Sequence, residues 1–134
     1  MERISVSENA IFWLQNEAII FCKLTNLDSS LKLDYKTAQS YIDAIVLLTK
    51  GSPMPLVVDL RDMKGTFTIS AAQLLSKTFA STSLITCEAY VVNSLSIKLL
   101  VHSYKRLFGN DIPYTITHNM LLAREFCVNK SIIQ

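Results

Sequence analysis

Residues 55–73 read PLVVDLRDMKGTFTISAAQ, and this stretch decides the fold class of the chain. The run Leu56–Leu60 is short and almost continuously apolar, which is typical of a central strand covered on both faces of a sheet. A charged turn follows, and Ser70 and Gln73 then have capping-box spacing, which predicts a helix from about Ser70 to Thr82. A buried strand that leads through a turn into a capped helix is typical of an α/β domain.

The residues before this stretch predict an opening hairpin and a first helix. The segments RISVS, AIFWLQ and AIIFCKLT are rich in β-branched and aromatic residues, and the last two predict an antiparallel hairpin from about Ala10 to Thr25. Asn16 suits its turn because asparagine tolerates left-handed backbone. From Tyr35 to Lys50, apolar residues recur at three- and four-residue steps, which predicts a helix capped by Asp34.

The residues after this stretch continue the alternation of strands and helices. We predict a strand over Cys87–Asn93, a helix over Leu95–Phe108, a short strand PYTIT from Pro113, and a last helix from Asn119 to about Asn129. The order β-β-α-β-α-β-α-β-α predicts one α/β domain over residues 1–134, with a mixed sheet of four to five strands and about four helices.

Composition excludes several classes of protein. Half of the 134 residues are hydrophobic and 18% are charged, so the chain should fold rather than remain disordered. The net charge of +2 is too small to indicate a nucleic-acid partner. The N-terminal residues do not resemble a signal peptide, and no apolar run approaches the roughly 20 residues that span a bilayer. We therefore expect a cytoplasmic protein without membrane insertion.

Residue types that usually carry catalysis or bind metal are few and scattered. Cys22, Cys87 and Cys127 lie far apart without metal-ligand spacing, and we expect buried thiols rather than disulfides. His102 and His118 are the only histidines, and they form no cluster with the cysteines in sequence. The chain has no Gly-x-Ser-x-Gly motif and no glycine-rich phosphate loop. We expect no metal, no cofactor and no enzymatic activity, although sequence alone leaves open a site assembled from distant residues.

The turn and the helix after the first buried strand supply the candidate site residues. Thr68 and Ser70 are candidate phosphoryl acceptors, because the free N–H groups at a helix start stabilise a phosphate. The alternative is that they only cap the helix. Asp59, Arg61 and Asp62 are candidates for binding a ligand or partner, since α/β sheets bind ligands at this end of their strands. The alternative is a local ion pair in a solvated turn.

Two further surfaces have a structural and a functional interpretation. His102 lies in a predicted helix with Lys98, Lys105 and Arg106, which indicates a solvated basic face or a docking surface for an acidic partner or an anionic membrane. Trp13 and its aromatic neighbours in the hairpin are either core residues or part of an exposed apolar surface that forms a dimer seam or a docking edge.

The order of elements, the VVDLRD-type strand and its alanine-bearing helix resemble the STAS domain of anti-sigma-factor antagonists. The likeness is greatest to a bacterial group of small, uncharacterised STAS-like proteins, and PYTIT, Ala123 and Phe126 resemble that group's C-terminal end. The resemblance covers about Ala10 to Asn129. It implies a serine that is phosphorylated in an Asp-Ser-Ser-Gly turn. Residues 65–72 read GTFTISAA, so only the general position of the hydroxyls is retained.

The resemblance implies a non-enzymatic protein-interaction or regulatory module that binds a protein partner, with a homodimer through the hairpin edge as a further expectation. The alternative is a domain that binds a small molecule or lipid in an apolar pocket under the helices, because STAS-like folds resemble the CRAL-TRIO lipid-binding fold.

Overall fold

The secondary structure alternates strands and helices after an opening set of strands. We describe a computed structural model that covers residues 3–16, 18–28 and 30–133, with side chains to residue 130. The elements are β1 (Arg3–Ser7), β2 (Ala10–Gln15), β3 (Ile19–Leu24), β4 (Lys32–Leu33), α1 (Tyr35–Thr49), β5 (Met54–Asp59), β6 (Thr66–Phe67), α2 (Ile69–Thr82), β7 (Ile85–Val91), α3 (Leu95–Phe108), β8 (Tyr114–Thr117) and α4 (Met120–Ile133).

The main sheet has six strands in the order β1-β2-β3-β5-β7-β8. β1, β2 and β3 are antiparallel neighbours, and β3, β5, β7 and β8 are parallel. The predicted α/β class, four helices and opening antiparallel hairpin are confirmed, but the predicted four to five strands were too few. The additional strand is β1, whose residues alternate between exposed and half-buried at the sheet edge. The composition of RISVS indicated β-structure, but the prediction began the hairpin at Ala10 and did not count this segment as a strand of the sheet. β4 and β6 form a separate two-stranded ladder.

Three helices cover one face of the sheet and the last helix covers the other. The crossovers through α1, α2 and α3 step in one direction across the sheet, and a common handedness therefore places these helices on the same face. Alternate strand residues, such as Cys22 and Val58, join the core under these helices. Their neighbours Phe21 and Val57 join a second core under α4, which contributes the predicted inward residue Cys127.

Local backbone chemistry sets the helix ends. The Asp34 side chain accepts a hydrogen bond from the Thr37 N–H at 2.9 Å, so the predicted cap of α1 is confirmed. α1 ends at Lys50, which is left-handed with φ 54°, and the predicted turn residue Asn16 is also left-handed with φ 55°. α3 has its predicted bounds, and the Ser94 side chain caps it. α4 extends beyond the predicted end at Asn129, because no glycine or proline follows that residue.

The cysteines and Trp13 lie where packing favours them. All three cysteines are buried and none of them forms a disulfide, as predicted. Trp13 is half-buried and stacks on Phe21, with the ring centroids 5.5 Å apart. The Arg3 guanidinium lies 5.2 Å from the centre of the Trp13 ring. Trp13 therefore packs at the margin of the core under α4 and keeps part of its surface exposed, so it is neither a fully buried core residue nor a fully exposed one.

Candidate functional site

The carboxyl ends of β3, β5 and β7 meet at one edge of the sheet. We call this the carboxyl edge and define it by residues 25–28, 30–35, 60–70 and 92–95, which follow these strands and include the starts of α1, α2 and α3. Open α/β sheets bind ligands at this edge. The structure brings the sequence-predicted candidates to it in two groups: Asp59 with Arg61 and Asp62, and Thr68 with Ser70.

Asp59 and Arg61 form a two-pronged ion pair at the end of β5. Arg61 Nε donates to Oδ1 of Asp59 and Arg61 Nη2 donates to Oδ2, both at 2.9 Å, and the Arg61 N–H also donates to Oδ1 at 3.1 Å. Burial by itself raises the pKa of Asp59, but the hydrogen bonds from Arg61 outweigh it and hold the pKa below its usual range. Both carboxylate oxygens are thus engaged, which makes Asp59 a poor general base.

Asp62 forms a second ion pair, with a residue that the sequence analysis missed. Lys23 Nζ lies 3.4 Å from Oδ2 of Asp62, and both side chains are exposed to solvent. Lys23 of β3 is the register partner of Asp59 in β5, which brings the four charged residues together. The register between β3 and β5 cannot be read from the sequence, so this neighbour was not predictable. The local ion pair between Asp59 and Arg61 is formed, and a binding role for the group stays a prediction.

Thr68, rather than Ser70, caps α2. The Thr68 hydroxyl accepts a hydrogen bond from the Ala71 N–H at 3.2 Å, and the helix begins at Ile69. The predicted capping box of Ser70 and Gln73 was therefore wrong. The reason is that the Thr68 N–H donates to the Leu33 carbonyl at 2.9 Å, which holds the backbone extended up to Thr68.

The two hydroxyls lie side by side at the positive end of the α2 dipole. Thr68 Oγ1 and Ser70 Oγ are 3.2 Å apart, with Ser70 exposed and Thr68 half-buried. A phosphate on Ser70 would meet the free N–H groups of the first turn, which stabilise an anion. The geometry suits phosphorylation of Ser70 better than of Thr68, whose oxygen is already engaged as the cap.

Large apolar side chains are exposed around these hydroxyls. The first residue of α1, α2 and α3 is in each case exposed and apolar: Tyr35, Ile69 and Leu95. Ile69 is 68% exposed and Leu95 is 70% exposed. Leu27, in the loop after β3, is 72% exposed at the same edge. Helix starts are usually polar, so this repetition is a feature that residue-by-residue reading of the sequence did not reveal.

The loop that carries Leu27 is fixed against the turn after β5. The Lys64 N–H donates to the Asn26 carbonyl at 2.6 Å, and the Thr66 N–H donates to the Leu31 carbonyl at 3.3 Å. A Cβ atom on Gly65 would collide with the Asn26 side chain and the Leu31 carbonyl, so the two segments approach closely only because residue 65 is glycine. Leu27 is therefore presented on an anchored loop.

The predicted basic face of α3 is present only in part. Lys98, His102 and Arg106 are exposed, but Lys105 is buried, and its prediction as a surface residue was wrong. His118 lies after β8 and is not part of this face. Within the described part of the chain, no three His, Cys, Asp or Glu side chains are grouped so as to hold a metal ion.

Lys105 belongs to a buried polar cluster beneath α3. Its Nζ donates to Oε1 of Glu88 at 2.6 Å, and the Tyr90 hydroxyl donates to the same oxygen at 3.0 Å. The side chains of Lys105 and Glu88 are 3% and 1% exposed. Lys105 Nζ also lies 5.0 Å from the centre of the Tyr114 ring and 5.7 Å from that of Tyr104. Lys105 and Glu88 neutralise each other, which offsets the cost of burying two charges.

The sequence contained a signal for this cluster. Glu88 is the one charged residue of the largely apolar strand β7, and Lys105 follows Val101 by four residues on the buried stripe of α3. A carboxylate in a buried strand needs a partner, and a lysine on the apolar side of the next helix is the obvious one.

A cavity of about 90 Å³ lies between the sheet and the three helices. Apolar side chains form almost all of its wall, including Phe12, Val58, Leu75 and Val101. Its position is that of the apolar pocket expected for a small-molecule or lipid-binding domain.

The described helices provide no membrane span, since none of them combines the length and the apolar character that crossing a bilayer requires. No curated protein and no solved structure is detectably similar to this chain. The model of one family, described as a domain of unknown function (DUF7793), matches residues 12–129, from β2 into α4. Because this match covers most of the 134 residues, the chain belongs to the DUF7793 family.

Proposed function

We propose that this chain is a non-enzymatic interaction module of STAS-like type that binds a protein partner at the carboxyl edge. The observation that carries the proposal is the set of exposed apolar side chains at this edge, namely Leu27, Tyr35, Ile69 and Leu95. Exposed apolar residues that gather at one place on a surface are typical of protein interfaces, whereas single ones are ordinary. The partner is a protein that presents an apolar surface to this edge.

The chemistry of the neighbouring polar groups supports binding rather than catalysis. Each carboxylate of the charged turn has a cation within ion-pair distance: Arg61 for Asp59 and Lys23 for Asp62. The Thr68 hydroxyl is engaged as a helix cap, with no base hydrogen-bonded to it. A nucleophile needs a neighbouring base to become reactive, and these residues do not offer one.

We propose that phosphorylation of Ser70 controls this binding. Ser70 is next to the exposed Ile69, so a phosphate there adds charge to an apolar contact surface and weakens docking. Incubation of the protein with kinases from its own cells, followed by mass mapping, should locate phosphate on Ser70, with Thr68 as the secondary site. Absence of phosphate from both residues would exclude this form of control.

Site-specific photo-cross-linking in the native cells tests the docking surface. A photoreactive benzoylphenylalanine replaces Ile69 in one variant and Leu95 in another, and we expect both to trap the same protein. The matched control places the same group at Leu47, which is 66% exposed, as Ile69 is 68% exposed, but lies near the other end of α1. Equal trapping from Leu47, or none from Ile69 and Leu95, would contradict the proposal.

The alternative of a lipid-binding domain has one observation in its favour, the apolar cavity under the helices. Its volume of about 90 Å³ is smaller than the roughly 150 Å³ engineered cavity that holds benzene in another protein. A lipid chain needs far more space. The cavity thus supports binding of a much smaller molecule than a lipid, and the interaction module is the better-supported function.

We also propose that homodimers form through the outer edge of β1. The edge of the predicted hairpin is not free, because β1 pairs with β2, and β1 is therefore the outermost strand at this end of the sheet among the described residues. Unpaired strand edges present backbone groups that can pair with a second copy. Light scattering at increasing protein concentration should report a dimer, and Val6→Pro in β1 should abolish it. A monomer at all concentrations would exclude this arrangement.

A further inference from the structure

We propose that Cys87 in β7 and Cys127 in α4 are an oxidative modification site, at which hydrogen peroxide forms a disulfide that fixes α4 to the sheet. In the structure both residues are thiols, since neither forms a disulfide. The site lies under α4, on the face of the sheet opposite α1, α2 and α3, and it does not rest on the function proposed for the carboxyl edge.

Both thiols belong to the same small core. Cys87 and Cys127 are each 0% exposed and pack in the cluster of seven buried residues between α4 and the sheet. Cys127 follows Ala123 by four residues on the buried side of α4, and Cys87 precedes Ala89 by two on the same face of β7. Cys22 lies in the other core, on the opposite face of the sheet, which separates it from this pair.

The topology brings the two sulfur atoms to the same level of the sheet. β8 pairs with β7 at Thr117 and Val91, and only two residues separate β8 from α4, so α4 runs back along the strands. Cys127 follows Met120 by seven residues, about 10 Å along the helix. Cys87 precedes Val91 by four residues, about 13 Å along the strand. The thiols therefore meet, and they are hydrogen-bonded to each other.

This contact makes Cys87 the thiol that reacts first. The hydrogen bond from Cys127, and after it that from the Thr86 hydroxyl, lowers the pKa of Cys87 against the opposing effect of burial. The hydrogen bond between the thiols, and after it burial, raises the pKa of Cys127. The thiolate is the reactive form of cysteine, so Cys87 attacks the oxidant and Cys127 closes the disulfide. Thr86 is the neighbour of Cys87 in β7, so this donor stays beside Cys87 when α4 moves.

The peroxide reaches the thiols when α4 lifts from the sheet. Among the described side chains of α4 only Ala123 and Cys127 are fully buried, with Met120 and Phe126 half-buried beside them. Detaching α4 exposes far less apolar surface than opening the larger core under α1, α2 and α3. The opening of α4 is therefore a local event that costs less free energy than global unfolding, and the disulfide suppresses it.

The chemical step consumes one peroxide molecule. The Cys87 thiolate attacks one peroxide oxygen and the O–O bond breaks, which leaves a sulfenic acid on Cys87 and a hydroxide that takes up the proton lost by the thiol. The Cys127 sulfur then attacks the Cys87 sulfur, an S–S bond forms, and the S–O bond breaks. The departing hydroxyl group leaves as water with the Cys127 proton. Two thiols thus lose two electrons and two protons, and the peroxide is reduced to two waters.

Peptide mapping and thermal unfolding of the full chain test the site. Treatment of the reduced protein with hydrogen peroxide, followed by catalase and digestion without reductant, should yield a peptide in which Cys87 is linked to Cys127. The disulfide closes a loop of about 40 residues, so Tm should rise by roughly 5–15 °C and fall back when dithiothreitol is added. Amide hydrogen exchange in α4 should slow about tenfold, and by a larger factor than in α3.

Variants assign the effect to the pair. Cys87→Ala and Cys127→Ala should each abolish the linked peptide and the rise in Tm. Cys22→Ala is the matched control, because it removes a buried thiol outside the pair and should retain both. The mapping of wild-type protein gives its answer whether or not these variants fold.

Four results would overturn the inference: no linked peptide from wild type, a disulfide to Cys22 in its place, sulfinic acid on Cys87 as the end product, or a linked protein whose Tm and α4 exchange are unchanged. These measurements are independent of cross-linking from Ile69, so failure of this site and failure of the docking surface are distinguishable.

Discussion

Replacement of Lys105 by methionine should destabilise the protein far more than any ordinary lysine substitution. Methionine has a similar shape but removes the cation, and leaves the Glu88 carboxylate buried with only the Tyr90 hydroxyl as partner. Breaking a buried ion pair from one side costs about 3–5 kcal/mol, a large share of the roughly 5–15 kcal/mol that holds a domain folded. For a chain of 134 residues this lowers Tm by roughly 10–20 °C.

The reverse substitution should be milder. In Glu88→Gln the amide oxygen still accepts from Tyr90, and Lys105 retains the Tyr104 and Tyr114 rings, whose faces attract a cation by up to about 2 kcal/mol. The double variant buries no charge at all, so we expect it to recover most of the stability lost in Lys105→Met, to within about 1 kcal/mol of wild type.

Urea unfolding followed by the fluorescence of Trp13, the only tryptophan, measures these free energies. Lys98→Met is the matched control, since Lys98 is exposed on the same helix and its loss should change the free energy of unfolding by less than about 0.5 kcal/mol. A cost below about 1 kcal/mol for Lys105→Met, or additive effects of the two substitutions, would refute the reasoning.

Three further predictions concern the ends of elements and the buried thiols. Thr68→Ala should lower the free energy of unfolding by about 1 kcal/mol in urea, whereas Thr68→Asp should preserve it because aspartate also caps helices. The pKa of Asp59 is lower in the folded protein than its unfolded value of about 4, so its ionised form stabilises the fold above that pH, and this stabilisation is lost as the pH falls through the pKa of the folded state. Asp59→Asn should therefore lower the free energy of unfolding by about 1 kcal/mol at pH 7, and the variant should lose less stability than wild type on acid titration. Asp62→Asn, at an exposed position of the same turn, is the control. Burial raises the pKa of Cys22, so a thiol reagent should modify it only as fast as the protein unfolds, and rapid modification in native buffer would contradict its placement.

Much of the fold was predictable because local signals agreed with the global arrangement. Caps such as Asp34 and Ser94 define helix starts without reference to the rest of the chain. RISVS had the composition of a strand but was not counted in the predicted sheet, because five residues with only alternate side chains half-buried carry a weak hydrophobic pattern. The cap at Thr68 was displaced from Ser70 by pairing of β6 with β4, a contact between distant segments that no local pattern contains.

The candidate site was predictable only in part, for a related physical reason. The Asp59 and Arg61 pair is two residues apart and could be anticipated from the sequence. The ion pair of Lys23 with Asp62 depends on the register between β3 and β5. The ion pair of Glu88 with Lys105 depends on how α3 packs on the sheet. The gathering of Tyr35, Ile69 and Leu95 results from parallel topology, which brings three helix starts to one edge.

The position of α4 alone on its face of the sheet has a consequence for biosynthesis. The five strand residues Phe21, Val57, Cys87, Ala89 and Val91 are sealed by this helix, which is translated after every strand. During synthesis this face stays uncovered until α4 has left the ribosome and packed against it, and exposed apolar surface attracts chaperones and other nascent chains. Chains that end before residue 120 should therefore bind chaperones more than chains that include α4.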